Sequence, residues 1–185
     1  MTPFRPSGHE ARARQSPKPS RVSVVGAGRF RSIPSRGTLA RWVRGALERP
    51  AHITLLLADA RTARRLNYTY RNRDYATNVL TFGYQQAPLV LADVVVCVSV
   101  ARSEAAREGK TLRAHLAHLV IHGVLHAQGY DHVRDADARR MQALETAHLA
   151  RLRIADPYGE LAQAYAAPEH QRAKRRMLGK SEATA

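Results

Sequence analysis

Apolar residues recur along this chain with two different periods. Val22, Val24 and Val25 predict a short first strand. Leu39, Trp42, Val43, Ala46 and Leu47 follow helical spacing, and Thr38 can cap that helix. His52 to Ala58 (H-I-T-L-L-L-A) reads as a buried strand. Asp59 then caps a helix to about Tyr70. From Tyr70 to Asn78 the chain is polar, carries two arginines and two tyrosines, and has no period. Val79 to Phe82 predicts a short strand. Leu89 to Val98 predicts the strongest one, rich in β-branched residues. Asp93 interrupts it and must find a partner, an arginine or a histidine ring N–H. Ser99 starts a helix that Gly109 ends, and Thr111 starts the next. A last helix capped by Asp135 turns Ala138, Met141, Leu144, Ala147 and Leu149 to the core, and Pro157 stops regular structure. The fold expected is α+β: one domain over residues 21–158, with a small mixed sheet of about three to five strands and helices on both sides.

The helix begun at Thr111 carries the chemistry. Five of the nine histidines lie between His115 and His132. His122 and His126 stand at i and i+4, on one helical face. Gly129 can enter left-handed backbone space and end the helix, which lets the chain return His132 to the other two. Three imidazoles predict a catalytic zinc site, one ion per chain, because structural sites are closed by four protein ligands. The spacing resembles that of the H-E-x-x-H-x-x-G-x-x-H zinc peptidases. Gly123 replaces their glutamate base. It removes peptidase chemistry and is expected to leave room beside the metal for a bulky substrate.

Charge and cysteine usage narrow the partners. The formal charge of +15 is concentrated in the flanks. Residues 1–50 carry 11 basic and 2 acidic side chains, and residues 169–185 carry 5 and 2. A polyanionic partner is the natural inference. The single cysteine, Cys97, excludes a disulfide framework and is expected to be an inert core residue, as Trp42 is a core anchor. No apolar run reaches the length of a membrane span, and no signal-peptide core opens the chain, so the expected location is the cytoplasm. Residues 1–36 are rich in arginine and serine, like an organellar transit peptide, but five prolines oppose the amphipathic helix such a peptide needs. Residues 1–20 are read as a disordered basic arm, or as the product of a start codon placed too early, and residues 159–185 as a basic, disordered tail.

Three blocks carry a family resemblance. H-G-V-L-H-A-Q-G-Y-D-H, His122 to His132, is similar to the H-G-x-L-H-x-x-G-Y-D-H signature of the YbeY family of single-strand-specific metallo-endoribonucleases. Leu66 to Phe82 resembles that family's L-N-x-x-Y-R-x-K-D-x-x-T-N-V-L-S-F, and Ala92 to Cys97 its G-D-I-V-I-C. Ala92, Gln142 and Arg61 depart from the family pattern without touching a ligand. The resemblance implies zinc held by His122, His126 and His132. It implies single-stranded RNA and ribosomal RNA as substrates, with maturation of the small-subunit RNA 3′ end. The ribosome is the expected partner; neither membrane nor DNA is.

The resemblance also implies that Arg71 matters for activity. Its planar fork suits a phosphate, and the competing expectation is a surface pairing with Asp74. Arg73 and Asn78 are expected near the substrate, Asn78 bonding backbone and shaping the site. Tyr75 and Tyr130 can stack bases or pack under the metal helix. Asp131 can orient a ligand or cap its own turn, and His115 or His118 can supply a fourth ligand or form buried hydrogen bonds. The rival reading is a ribosome-associated RNA-binding factor whose zinc is structural.

Overall fold

A computed structural model describes residues 20–159 of the chain. The expected basic arm, apart from Ser20, and the expected tail, apart from Gly159, lie outside the described residues. Four strands form one sheet: β1 (Arg21–Val25), β2 (Ala51–Ala58), β3 (Val79–Gln85) and β4 (Val90–Cys97). Its order is β1-β2-β4-β3. β1 and β4 run parallel to β2, and β3 closes the edge antiparallel to β4. The helices are α1 (Arg36–Gly45), α2 (Ala60–Arg71), α3 (Val98–Arg107), α4 (Leu112–Ala127) and α5 (Asp135–Arg151). The mixed sheet and α+β class expected from the sequence are observed. No helix among the described residues is long and apolar enough to cross a membrane.

Strand alternation sorts the side chains into two cores. Val24, Ile53, Leu55, Leu57, Val94 and Val96 are buried in the main core with Leu116, Val120, Ile121 and Val124 of α4 and with Leu39, Trp42 and Val43 of α1. The other sheet face has a smaller core of Ala58, Leu80 and Val95, covered by Leu66 of α2. Ten of the sixteen residues of α4 are buried, because this helix packs on β3 and β4 and is itself packed by α1, α3 and α5. An apolar surface all round is what such a central position requires. Only its histidine-bearing side needs to remain polar.

Local details differ from expectation at the caps. Ser35, not Thr38, caps α1, and its Oγ accepts the Thr38 backbone N–H. β4 runs straight into α3, so Cys97 is the extended cap residue and Ser99 lies inside the first turn. Arg134 precedes α5, leaving Asp135 and Asp137 in the first turn, where carboxylates favour the helix dipole. Ala147 is exposed, and the α5 residues buried beside Met141 and Leu149 are Glu145 and His148. Among the described residues Asp93 finds neither arginine nor histidine: the Tyr84 hydroxyl donates to it at 2.8 Å across the β3–β4 ladder. Asp59, Thr111 and Gly109 take the expected places.

Candidate metal centre

α4 presents His122 and His126 one turn apart, and its end is shaped to return His132. Gly129 has φ +91°, the left-handed conformation. Its N–H donates to the His126 carbonyl at 3.0 Å, and the Tyr130 N–H to the Leu125 carbonyl at 3.2 Å. These two bonds satisfy the last helical carbonyls and reverse the chain. Buried Gln128 fastens the turn from beneath: its amide accepts from the Glu48 N–H and donates to the Ala46 and Val124 carbonyls.

The result is convergence. One ligand atom from each of His122, His126 and His132 lies within 4.8 Å of the others. The Nε2 atoms of His122 and His126 are 3.1 Å apart. A tetrahedral ion with nitrogen ligands at about 2.0–2.1 Å holds those nitrogens about 3.3 Å apart, so the donor set fits a cation of that size. Burial, followed by the adjacent His122 and His132 rings, holds His126 below its usual pKa, favouring the neutral ring that binds metal.

His122 is oriented by a carboxylate on α5. Its Nδ1–H donates to Glu145 Oε1 at 2.7 Å, which leaves Nε2 as the lone-pair nitrogen facing His126. With His126 Nε2 3.1 Å away, the two ring nitrogens are close enough to share one cation. Glu145 is fully buried. Burial pushes its carboxyl up, but donors on His118, His122 and Tyr158 outweigh that and hold it at about 2, ionised at neutral pH. On Tyr158 the shift goes the other way: burial and the neighbouring carboxylate push its hydroxyl well above the usual tyrosine range, so it stays a proton donor.

Gly123 serves packing rather than substrate access, contrary to expectation. It is buried against the sheet, and a Cβ there would lie 2.5 Å from Val94 Cγ1, 3.2 Å from Val79 Cγ2 and 3.3 Å from Thr81 Oγ1. No glutamate fits there, so the departure from the peptidase pattern has a steric cause.

The remaining candidates have partners and exposure of their own among the described residues. Arg71 ends α2 on exposed surface and makes no ion pair among the described residues; Asp74 is held by Arg64 through two bonds of 2.6 Å. Arg73 is exposed beside it. Arg73 rides on the loop after α2, which buried Asn67 pins by donating its Nδ2 to the Tyr75 carbonyl. Asn78 bonds its neighbour's backbone, as expected, and also donates to Glu104, which in turn pairs with His115 Nε2 at 2.8 Å. That takes His115 away from the metal. His118 turns to Glu145 and Tyr158. Asp131 caps its own turn by accepting the His132 N–H at 2.7 Å. Tyr75 is exposed, whereas Tyr130 packs on the core edge beneath the Arg140 guanidinium.

Sequence reasoning missed Glu145. Gln142, the departure noted on α5, is exposed, and the carboxylate that reaches the site stands three residues further on. A signal was present: Glu145 interrupts the i, i+4 apolar stripe from Met141 to Leu149.

Known proteins match over the same region. A model of the Endoribonuclease YbeY family matches residues 36–153. A protein named Endoribonuclease YbeY from Verminephrobacter eiseniae is 54% identical over 128 residues, covering 69% of this chain and 83% of its own. One of the same name from Delftia acidovorans is 49% identical, covering 70% and 86%. The solution structure of a Thermotoga maritima protein shares the fold, with a TM-score of 0.50 at 22% identity, covering 77% of this chain and 92% of that one.

Proposed function

Since the chain belongs to the endoribonuclease YbeY family, we propose that it is a zinc-dependent endoribonuclease that cuts single-stranded RNA during ribosomal RNA processing. The observation that carries this reading is the convergence of His122, His126 and His132 within 4.8 Å of one another. When bound there, zinc supplies Lewis-acid stabilisation of the charge that builds on a phosphodiester.

The chain's own residues supply the rest. Glu145 fixes which nitrogen of His122 is protonated. Arg71, exposed and without an ion pair among the described residues, is the donor fork for a substrate phosphate; Arg73 beside it attracts the RNA backbone. Asn78 positions the 72–78 loop through Glu104 rather than touching substrate itself. Among the described residues no fourth carboxylate, thiolate or imidazole joins the triad, which favours the catalytic over the structural zinc reading. Ribosomal RNA as the target, the ribosome as the partner and the cytoplasm as the location accompany this reading.

The test is direct. Purified protein should contain zinc and cut single-stranded RNA, a chelator should stop cleavage, and His126→Ala should lose bound metal and cleavage together. Cleavage surviving in that variant would sink the proposal.

A further inference from the structure

The segment that follows α5 reaches back to the metal site. Arg153 has φ +56° and the Ile154 N–H donates to the Leu149 carbonyl, which reverses the chain at the helix end. Asp156 Oδ1 then accepts from Thr146 Oγ1 and from the Tyr158 N–H, each at 2.9 Å, pinning the returning strand along α5. This places the Tyr158 ring edge-on against His118, with centroids 5.7 Å apart, and its hydroxyl donates to Glu145 Oε2. His118 Nε2 lies 3.2 Å from the same carboxylate oxygen. The other oxygen, Oε1, accepts from His122 Nδ1.

A buried carboxylate is held only by its donors. Here Oε2 is fixed by two and Oε1 by one, so the carboxylate plane, and with it the His122 ring, has a single arrangement. Removing Tyr158 leaves Oε2 with His118 alone and frees the carboxylate to turn away from His122. We propose that Asp156, Pro157 and Tyr158 form a clasp on the metal centre, with Tyr158 a positioning residue that acts through Glu145 to present His122 Nε2 to the cation. The inference rests on the metal-site reading above and adds to it a requirement outside the histidine motif.

The experiment uses the full chain and zinc chloride alone as probe, with Tyr158→Phe and Glu145→Gln as variants. Zinc affinity is measured by competition with a chromophoric chelator, folding of the metal-free proteins by urea titration, and the His122 tautomer by nitrogen NMR of histidine-labelled, zinc-loaded protein. Changes in groups that hang on a metal's histidine ligands cost about 10–100-fold in affinity. Glu145→Gln is expected in that range, and Tyr158→Phe about 3–10-fold weaker than the parent, with the His122 Nδ1–H signal shifted in both. Should Glu145→Gln fail to fold, Tyr158→Phe keeps the carboxylate and still reads the clasp. A folded Tyr158→Phe that binds zinc within twofold of the parent, or that loses affinity with the His122 signal unmoved, overturns the clasp while the metal centre stands. A parent protein that binds no zinc overturns both.

Discussion

Gly123→Ala separates two explanations for the small residue beside the proposed metal ligands. In an open helical position the substitution would stabilise the protein by about 0.8–1 kcal/mol through helix propensity. Here the added methyl would lie 2.5 Å from Val94 Cγ1, well inside contact distance. Val94 is fully buried in β4, is stiff at χ1, and is flanked by Val79 and Thr81, whose atoms lie 3.2 and 3.3 Å from the same point, so no flexible end can yield. Overpacking of that kind costs about 1–3 kcal/mol, and the 2.5 Å approach argues for the upper half of the range. Subtracting the propensity gain leaves a net loss of about 1–2 kcal/mol. For a domain of this size that is a fall in melting temperature of roughly 3–8 °C. Urea and thermal unfolding of the metal-free protein measure it without involving the ion. If Gly123 instead served to make room for substrate, the variant would be as stable as the parent or more so, and only its KM for RNA would rise. A stabilised Gly123→Ala would therefore refute the packing argument.

Other expectations follow from the same geometry. Gly129→Ala forces a Cβ into left-handed backbone at φ +91°, at a cost of about 1–3 kcal/mol. It should also weaken zinc binding, because His132 is aimed by that turn; unchanged affinity by chelator competition would contradict this. Acid should loosen the metal-free domain. His126 is held below its ordinary pKa of about 6.5, so the unfolded chain takes up that proton first. Stability is then full above about pH 6.5 and declines as pH falls below it. Urea midpoints that rise on acidification through this window would contradict it. Arg71→Lys keeps the charge but loses the fork. Zinc content should be unchanged and cleavage should fall about tenfold or more, and parent-level cleavage would remove Arg71 from the site.

Within the site, what could be read ahead of the structure was what the chain builds locally. His122 and His126 share a face because a helix turns once in about 3.6 residues. The return to His132 starts with Gly129 and two local backbone hydrogen bonds, to which the packed structure adds the Gln128 contacts with Ala46 and Glu48. Asp59 and Thr111 cap their helices from one residue away. The misplaced cap of α1 failed for a related reason: Ser35 and Thr38 are both competent cap residues three positions apart, and the helix begins at the earlier one, with Ser35 Oγ accepting the Thr38 N–H.

The amino-acid sequence by itself determined the strands, the helices and three converging imidazoles, because each depends on residues within one or two turns of one another. Only the tertiary structure decided that Gly123 lies against Val94, that Tyr84 rather than a cation meets Asp93, and that Glu145 and Tyr158 stand behind His122. Those contacts join different elements, and their geometry comes from how α4 and α5 pack. Periodicity along one segment states which face is apolar. It does not state what that face will meet.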